Sequence, residues 1–105
     1  DDVLLLPARS GVGSVSVLPS TIRDAILDAV PALTDFRAIQ VAANAIEVRV
    51  PEGTGEPAAN VLRNAVMAAC RRSGAESVDI AVAPGIETPL DRKVRRVERR
   101  WRGAP

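Results

Sequence analysis

The sequence contains no histidine and no tyrosine, and a single residue each of phenylalanine, tryptophan, cysteine and methionine. Without histidine, neither a Ser–His–Asp triad nor a His-containing metal site can be built. Phe36 and Trp101 are too few to form the row of rings on which single-stranded nucleic acid stacks, so nucleic acid is disfavoured as a partner. One cysteine, Cys70, excludes an intramolecular disulfide and suits a reducing, cytoplasmic compartment. The longest aliphatic run is Val3–Leu6, far short of the ~20 apolar residues that cross a bilayer, so no membrane partner is expected. Lysine is almost missing too: of 14 basic residues, Lys93 alone is not arginine.

What is present suits one domain. The 105 residues are 47% hydrophobic and carry a formal net charge of +1, which allows a modest core and disfavours disorder. The chain begins at Asp1 rather than methionine and is expected to be a fragment or a processed piece.

Val3–Leu6 reads as a short buried strand and Ser14–Leu18 as a half-buried one, with Gly11-Val12-Gly13 a plain hairpin loop between them. Pro19-Ser20-Thr21 opens a helix, Thr21 and Asp24 forming a weak capping box. Its apolar stripe is Ile22, Ala25, Ile26, Ala29, Val30 and Leu33. Phe36–Ala43 is a mostly apolar run suited to a central strand, and Asn44 tolerates the left-handed backbone of a turn. Ile46, Val48 and Val50 then alternate strictly with Glu47 and Arg49. A second helix runs from Pro57 to about Ser73, stopped by Gly74, with Ala58, Val61, Leu62, Ala65, Val66 and Ala69 as its apolar stripe and Cys70 packed beside it. Val78–Val82 is one more strand, broken at Pro84-Gly85. The order β-β-α-β-β-α-β with a basic C-terminal tail predicts an α+β fold. It is a small two-layer sandwich, a mainly antiparallel sheet with two helices on one face.

From Asp91 to Arg102 seven basic residues face two acids, whereas residues 1–90 carry seven basic residues and eleven acids. Such an end attracts polyanions through charge alone. Asp1 and Asp2 lack further ligands at useful spacing, so no metal site is expected.

Thr88–Val97 (TPLDRKVRRV) resembles the C-terminal lysine motif of adenylate-forming enzymes, the superfamily of acyl-CoA synthetases and adenylation domains. Asp1–Leu6 (DDVLLL) resembles the hinge motif that opens their small C-terminal subdomain. Val15–Ile22 (VSVLPSTI) is similar to the segment that follows in the phenylacetate–CoA ligase-like branch. Arg92 stands where the family usually has glycine, and Glu87 where it commonly has arginine. The resemblance implies that residues 1–105 are that mobile subdomain, with a hinge-proximal hairpin over 1–18, an α/β core over 19–83 and a lysine loop and basic tail over 84–105. It implies Lys93 as the catalytic residue, and a hinge at Asp1, with Asp2 next in register. It also implies ATP with magnesium and coenzyme A as cofactors of the full-length enzyme. The partners would be a large N-terminal adenylation domain of the same polypeptide, a carboxylic acid substrate and a thiol acceptor. The fragment alone would bind none of these and be inactive, since no phosphate-binding loop is present. Two rivals stand beside it: an anion- or nucleic-acid-binding module using the arginine-rich end, and a ferredoxin-like interaction domain without chemistry.

The alternation over Ile46, Val48 and Val50 places all three in the core with Ile26 and Val66. Val48→Asp should therefore cost on the order of 4 kcal/mol by burying an unpaired charge. An unchanged melting temperature would show the register to be wrong.

Overall fold

Strict alternation is realised in β4 (Ala45–Val50), whose Ile46, Val48 and Val50 are buried while Glu47 and Arg49 turn to the other side. In the computed structural model of the chain, residues 1–87 and 95–101 are described. β3 (Arg37–Ala42) pairs antiparallel with β4, setting Ala38 opposite Val48 and Gln40 opposite Ile46, so these four side chains share one face. The turn at Ala43–Asn44 uses no left-handed residue, contrary to the expectation for Asn44, and the register shifts between Gln40 and Ala42 instead.

β1 (Leu4–Pro7) and β2 (Ser14–Val17) form the expected hairpin, a separate two-stranded sheet. α1 (Pro19–Ala29) follows with Leu18 as its N-cap and Pro19 in the first turn. No side chain caps it, so the Thr21–Asp24 capping box does not form; the fixed φ of proline starts the helix without it. α2 (Glu56–Arg72) buries Ala59, Leu62, Val66, Ala69 and Cys70. The buried stripe is rotated by about one residue from the expected one, which leaves Val61 47% exposed and draws Cys70 fully inside. α2 ends in a Schellman arrangement: the Ala75 N–H donates to the Cys70 carbonyl at 3.1 Å and that of Gly74 to Arg71 at 3.0 Å. Gly74 takes φ 97°, the backbone state that makes glycine the favoured residue there.

The chain then returns as β5 (Asp79–Pro84), parallel to β4, because a helical crossover delivers the next strand in the same direction. Pro84 extends this strand past its expected end, and Gly85 closes it. The basic tail is not free of structure. Its residues Val97–Arg99 form β6, parallel to β3, with Val97 completely buried. The larger sheet has the order β5-β4-β3-β6, so the two hairpins are antiparallel as expected and the two edge strands make it mixed. Hairpin, helices and sheet enclose one core that includes Leu4, Leu6, Ile22, Ile26, Phe36, Leu62, Val66 and Val97, a two-layer α+β sandwich.

Among the described residues two polar side chains are buried, Arg37 and, more deeply, Gln40. Gln40 is fully buried; its Nε2 donates to the Leu5 carbonyl at 2.6 Å and to the Ala43 carbonyl at 3.2 Å, and its Oε1 accepts the Leu5 N–H at 3.2 Å. The side-chain amide thus pairs with Leu5 as a neighbouring strand would and ties β1 to the main sheet. Gln40→Leu should destabilise the fold by about 2–4 kcal/mol, because the Leu5 N–H and C=O lose their partner in a buried setting. Chemical denaturation of the two proteins measures the difference.

Candidate functional site

Of the site residues singled out by sequence, Asp1 and Asp2 are described, and both contact the segment that holds β6. Asp1 and Asp2 lie against the strand that follows the lysine motif. The Asp2 N–H donates to the Val97 carbonyl at 2.9 Å, and the Asp2 carboxylate accepts the Arg99 N–H at 2.8 Å. The same carboxylate pairs with the Arg95 guanidinium at 3.5 Å. Asp1 Oδ1 accepts the Arg96 N–H at 3.0 Å. Lys93, with the rest of the 88–94 stretch, lies outside the described residues.

Asp35, ahead of β3, adds a third acid. It accepts the Phe36 N–H at 2.8 Å, pairs with Arg37 at 2.8 Å, and takes the Arg96 guanidinium at 3.2 Å. Partial burial works against its charge, but the Phe36 N–H, Arg37 and Arg96 outweigh that and hold its carboxyl below the ordinary value of 3.8. Arg37 is itself buried, its guanidinium also donating to the Phe36 carbonyl at 2.7 Å. Arg100 pairs with Glu98 at 3.1 Å. Within the described part of the arginine run, Arg95 pairs with Asp2, Arg96 with Asp35 and Arg100 with Glu98. This local compensation leaves the described arginines a weaker attractor of polyanions than their number suggests.

Three residues escaped the sequence reading: Gln40, Asp35 and Arg37. Gln40 carried a signal, a polar residue within an apolar run. Asp35 and Arg37 flank Phe36 two apart, a spacing that says nothing until the strand is in place. Cys70 is buried as expected, and burial pushes its thiol up to about 11, away from nucleophilic use. Gly11 and Gly13 form the hairpin loop, both with positive φ. A cleft of about 270 Å³ opens between the 51–56 turn, the start of α2 and Val82–Pro84, and neither Asp1 nor Asp2 lines it. Among the described residues no three Asp, Glu or Cys side chains are grouped so as to hold a metal ion, and no helix is long and apolar enough to cross a membrane.

The sign of the Asp35 effect sets an acid dependence. A carboxyl lowered by folding contributes stability that is present above its unfolded value of 3.8 and lost as pH falls through the folded value. Asp35→Asn should cost about 1–2 kcal/mol at neutral pH, and the variant should lose less stability than the parent on acidification below about pH 4. Urea denaturation at both pH values checks this; equal acid sensitivity would count against it.

No protein-family model matches the chain, and no curated protein does. Among solved structures it is similar to an open conformation of 2-hydroxyisobutyryl-CoA ligase, crystallised in complex with 2-HIB-AMP and CoA. The similarity has a TM-score of 0.53 at 17% identity and covers 92% of this chain and 21% of that one. The chain thus spans about a fifth of the ligase and shares its fold over that part.

Proposed function

We propose that the chain is the mobile C-terminal subdomain of an ATP-dependent carboxylic acid–CoA ligase, or a related adenylating enzyme of the phenylacetate–CoA ligase-like branch. The observation that carries this is the coverage: nearly all of the chain overlays about a fifth of a ligase that was crystallised with an acyl-adenylate and CoA. The order of the hinge-like and lysine-like motifs, at the two ends of the chain, supports the same assignment.

The chemistry explains why a small domain would carry one lysine. In the first step a carboxylate oxygen attacks the α-phosphorus of ATP, a C–O–P linkage forms, and pyrophosphate leaves. Two anions must meet, and a cation in contact with both offsets their repulsion as charge builds in the transition state. Lysine serves as a compact point charge on a flexible stem. In the second step a thiolate attacks the acyl carbon and AMP leaves, so the lysine must withdraw from the path of the thiol. Placing Lys93 on a subdomain that turns at Asp1 or Asp2 allows both steps. The large domain of the same polypeptide would hold the acid, ATP and its magnesium. Among the described residues no ligand set for that ion is grouped. The compartment in this proposal is the cytoplasm, and nucleic acid has no part in it.

The isolated chain should release no pyrophosphate from ATP with any carboxylic acid. In the full-length protein, Lys93→Ala should slow adenylate formation by roughly 10²–10³-fold while largely sparing thiolysis of preformed acyl-adenylate. Lys93→Arg should rescue only in part, because a planar guanidinium does not occupy the same point. Equal loss in both half-reactions would remove the case for a catalytic lysine.

A further inference from the structure

Four contacts join the first two residues to the 95–99 segment, and they differ in kind. One is a main-chain hydrogen bond, Asp2 N–H to the Val97 carbonyl at 2.9 Å. Two are carboxylates accepting main-chain N–H groups, Asp1 from Arg96 at 3.0 Å and Asp2 from Arg99 at 2.8 Å. The fourth is the ion pair of Asp2 with Arg95 at 3.5 Å. β6 has only three residues and lies at the sheet edge, with β3 on one side. A strand that short is poorly held by one ladder. On its other side Asp2 serves as the partner strand, its amide and carboxylate engaging residues two apart, at the spacing a strand neighbour would use. The Asp2 side chain is 23% exposed, so its charge-assisted bonds are sheltered from full screening.

We infer that Asp2 is a positioning residue: it fixes the register of the 95–99 segment against the N-terminal end, so that this segment turns together with residues 1–2. The inference rests on the proposed function for its catalytic consequence, because Lys93 lies two residues ahead of Arg95 in sequence. It rests on the hydrogen bonds alone for its structural part. A chain that turns about residues 1–2 then carries residues 95–99 with it as one body.

Amide exchange and half-reaction kinetics test it together. In the 105-residue chain, Asp2→Ala should speed exchange of the Arg99 N–H by about tenfold or more, leaving Ile46–Val50 unchanged. Asp2→Asn retains an acceptor for that N–H but not the charge facing Arg95, and should fall between. In the full-length protein, Asp2→Ala should slow adenylate formation by about tenfold, in the direction of Lys93→Ala, with partial rescue by Asp2→Asn. If Lys93→Ala slows adenylation while Asp2→Ala alters neither that rate nor Arg99 exchange, the positioning role is overturned. If Lys93→Ala is without effect, the proposed function fails, and Arg99 exchange still decides the clasp: faster in Asp2→Ala upholds it, unchanged overturns it. Should Asp2→Ala fail to fold, Asp2→Asn gives the same comparison, with faster Arg99 exchange expected and unchanged exchange overturning the role.

Discussion

Gln40 sits where three parts of the chain must be joined. Its side-chain amide pairs with both polar groups of Leu5, and its main-chain carbonyl accepts the N–H groups of Arg100 and Trp101, each at 3.0 Å. An apolar residue at that position would fill the volume but leave Leu5 with a buried donor and acceptor, a cost that packing does not recover. The two-stranded hairpin has little core of its own, as two strands alone are marginal in water. Its attachment depends on that amide, on the Ala8–Ala75 bridge and on the main-chain bonds from Arg9 to Gly74 and from Glu76 to Pro7. Leu4, Leu6 and Val17 can then close the core from the side the helices leave open.

The electrostatics follow the same end of the molecule. A basic run of this density would repel itself if it formed an isolated strand. Asp2, Asp35 and Glu98 offset that repulsion one arginine at a time, and Val97 anchors the strand by burial. The pairs at Arg95, Arg96 and Arg100 are partly exposed and individually weak. The carboxylates that accept main-chain N–H groups, from Arg96 and Arg99, do more, because they satisfy backbone donors as well as charge. β6 is therefore registered from two sides, by the β3 ladder and by Asp1 and Asp2 from the start of the chain, which brings these two acids and residues 95–99 together.

In the function proposed above, a subdomain presents one cation in one step and removes it in the next, and this juxtaposition would serve that motion. A rigid link between residues 1–2 and residues 95–99 converts rotation at the N-terminal end into displacement at the other. The overlay on about a fifth of a CoA ligase is compatible with such a part, whose acid and nucleotide would be held elsewhere in the full-length protein.

Periodicity alone determined the α+β class, the order of the first seven elements and the burial of Ile26, Ile46, Val48, Val50 and Val66, because each depends on residues close in sequence. The Gly74 stop and the inert setting of Cys70 were legible for the same reason. Tertiary structure decided what depends on distant partners. β6 is one apolar residue among arginines, and nothing local marks it as a strand until β3 offers its edge and Asp2 its carboxylate. Val61, on the expected apolar stripe of α2, is left 47% exposed, because what packs against the helix decides which side is covered. The clasp of Asp1, Asp2 and Asp35 on residues 95–99 joins positions more than 60 residues apart. No window of sequence contains both halves of such a contact, since its energy exists only once the core has brought the two ends together.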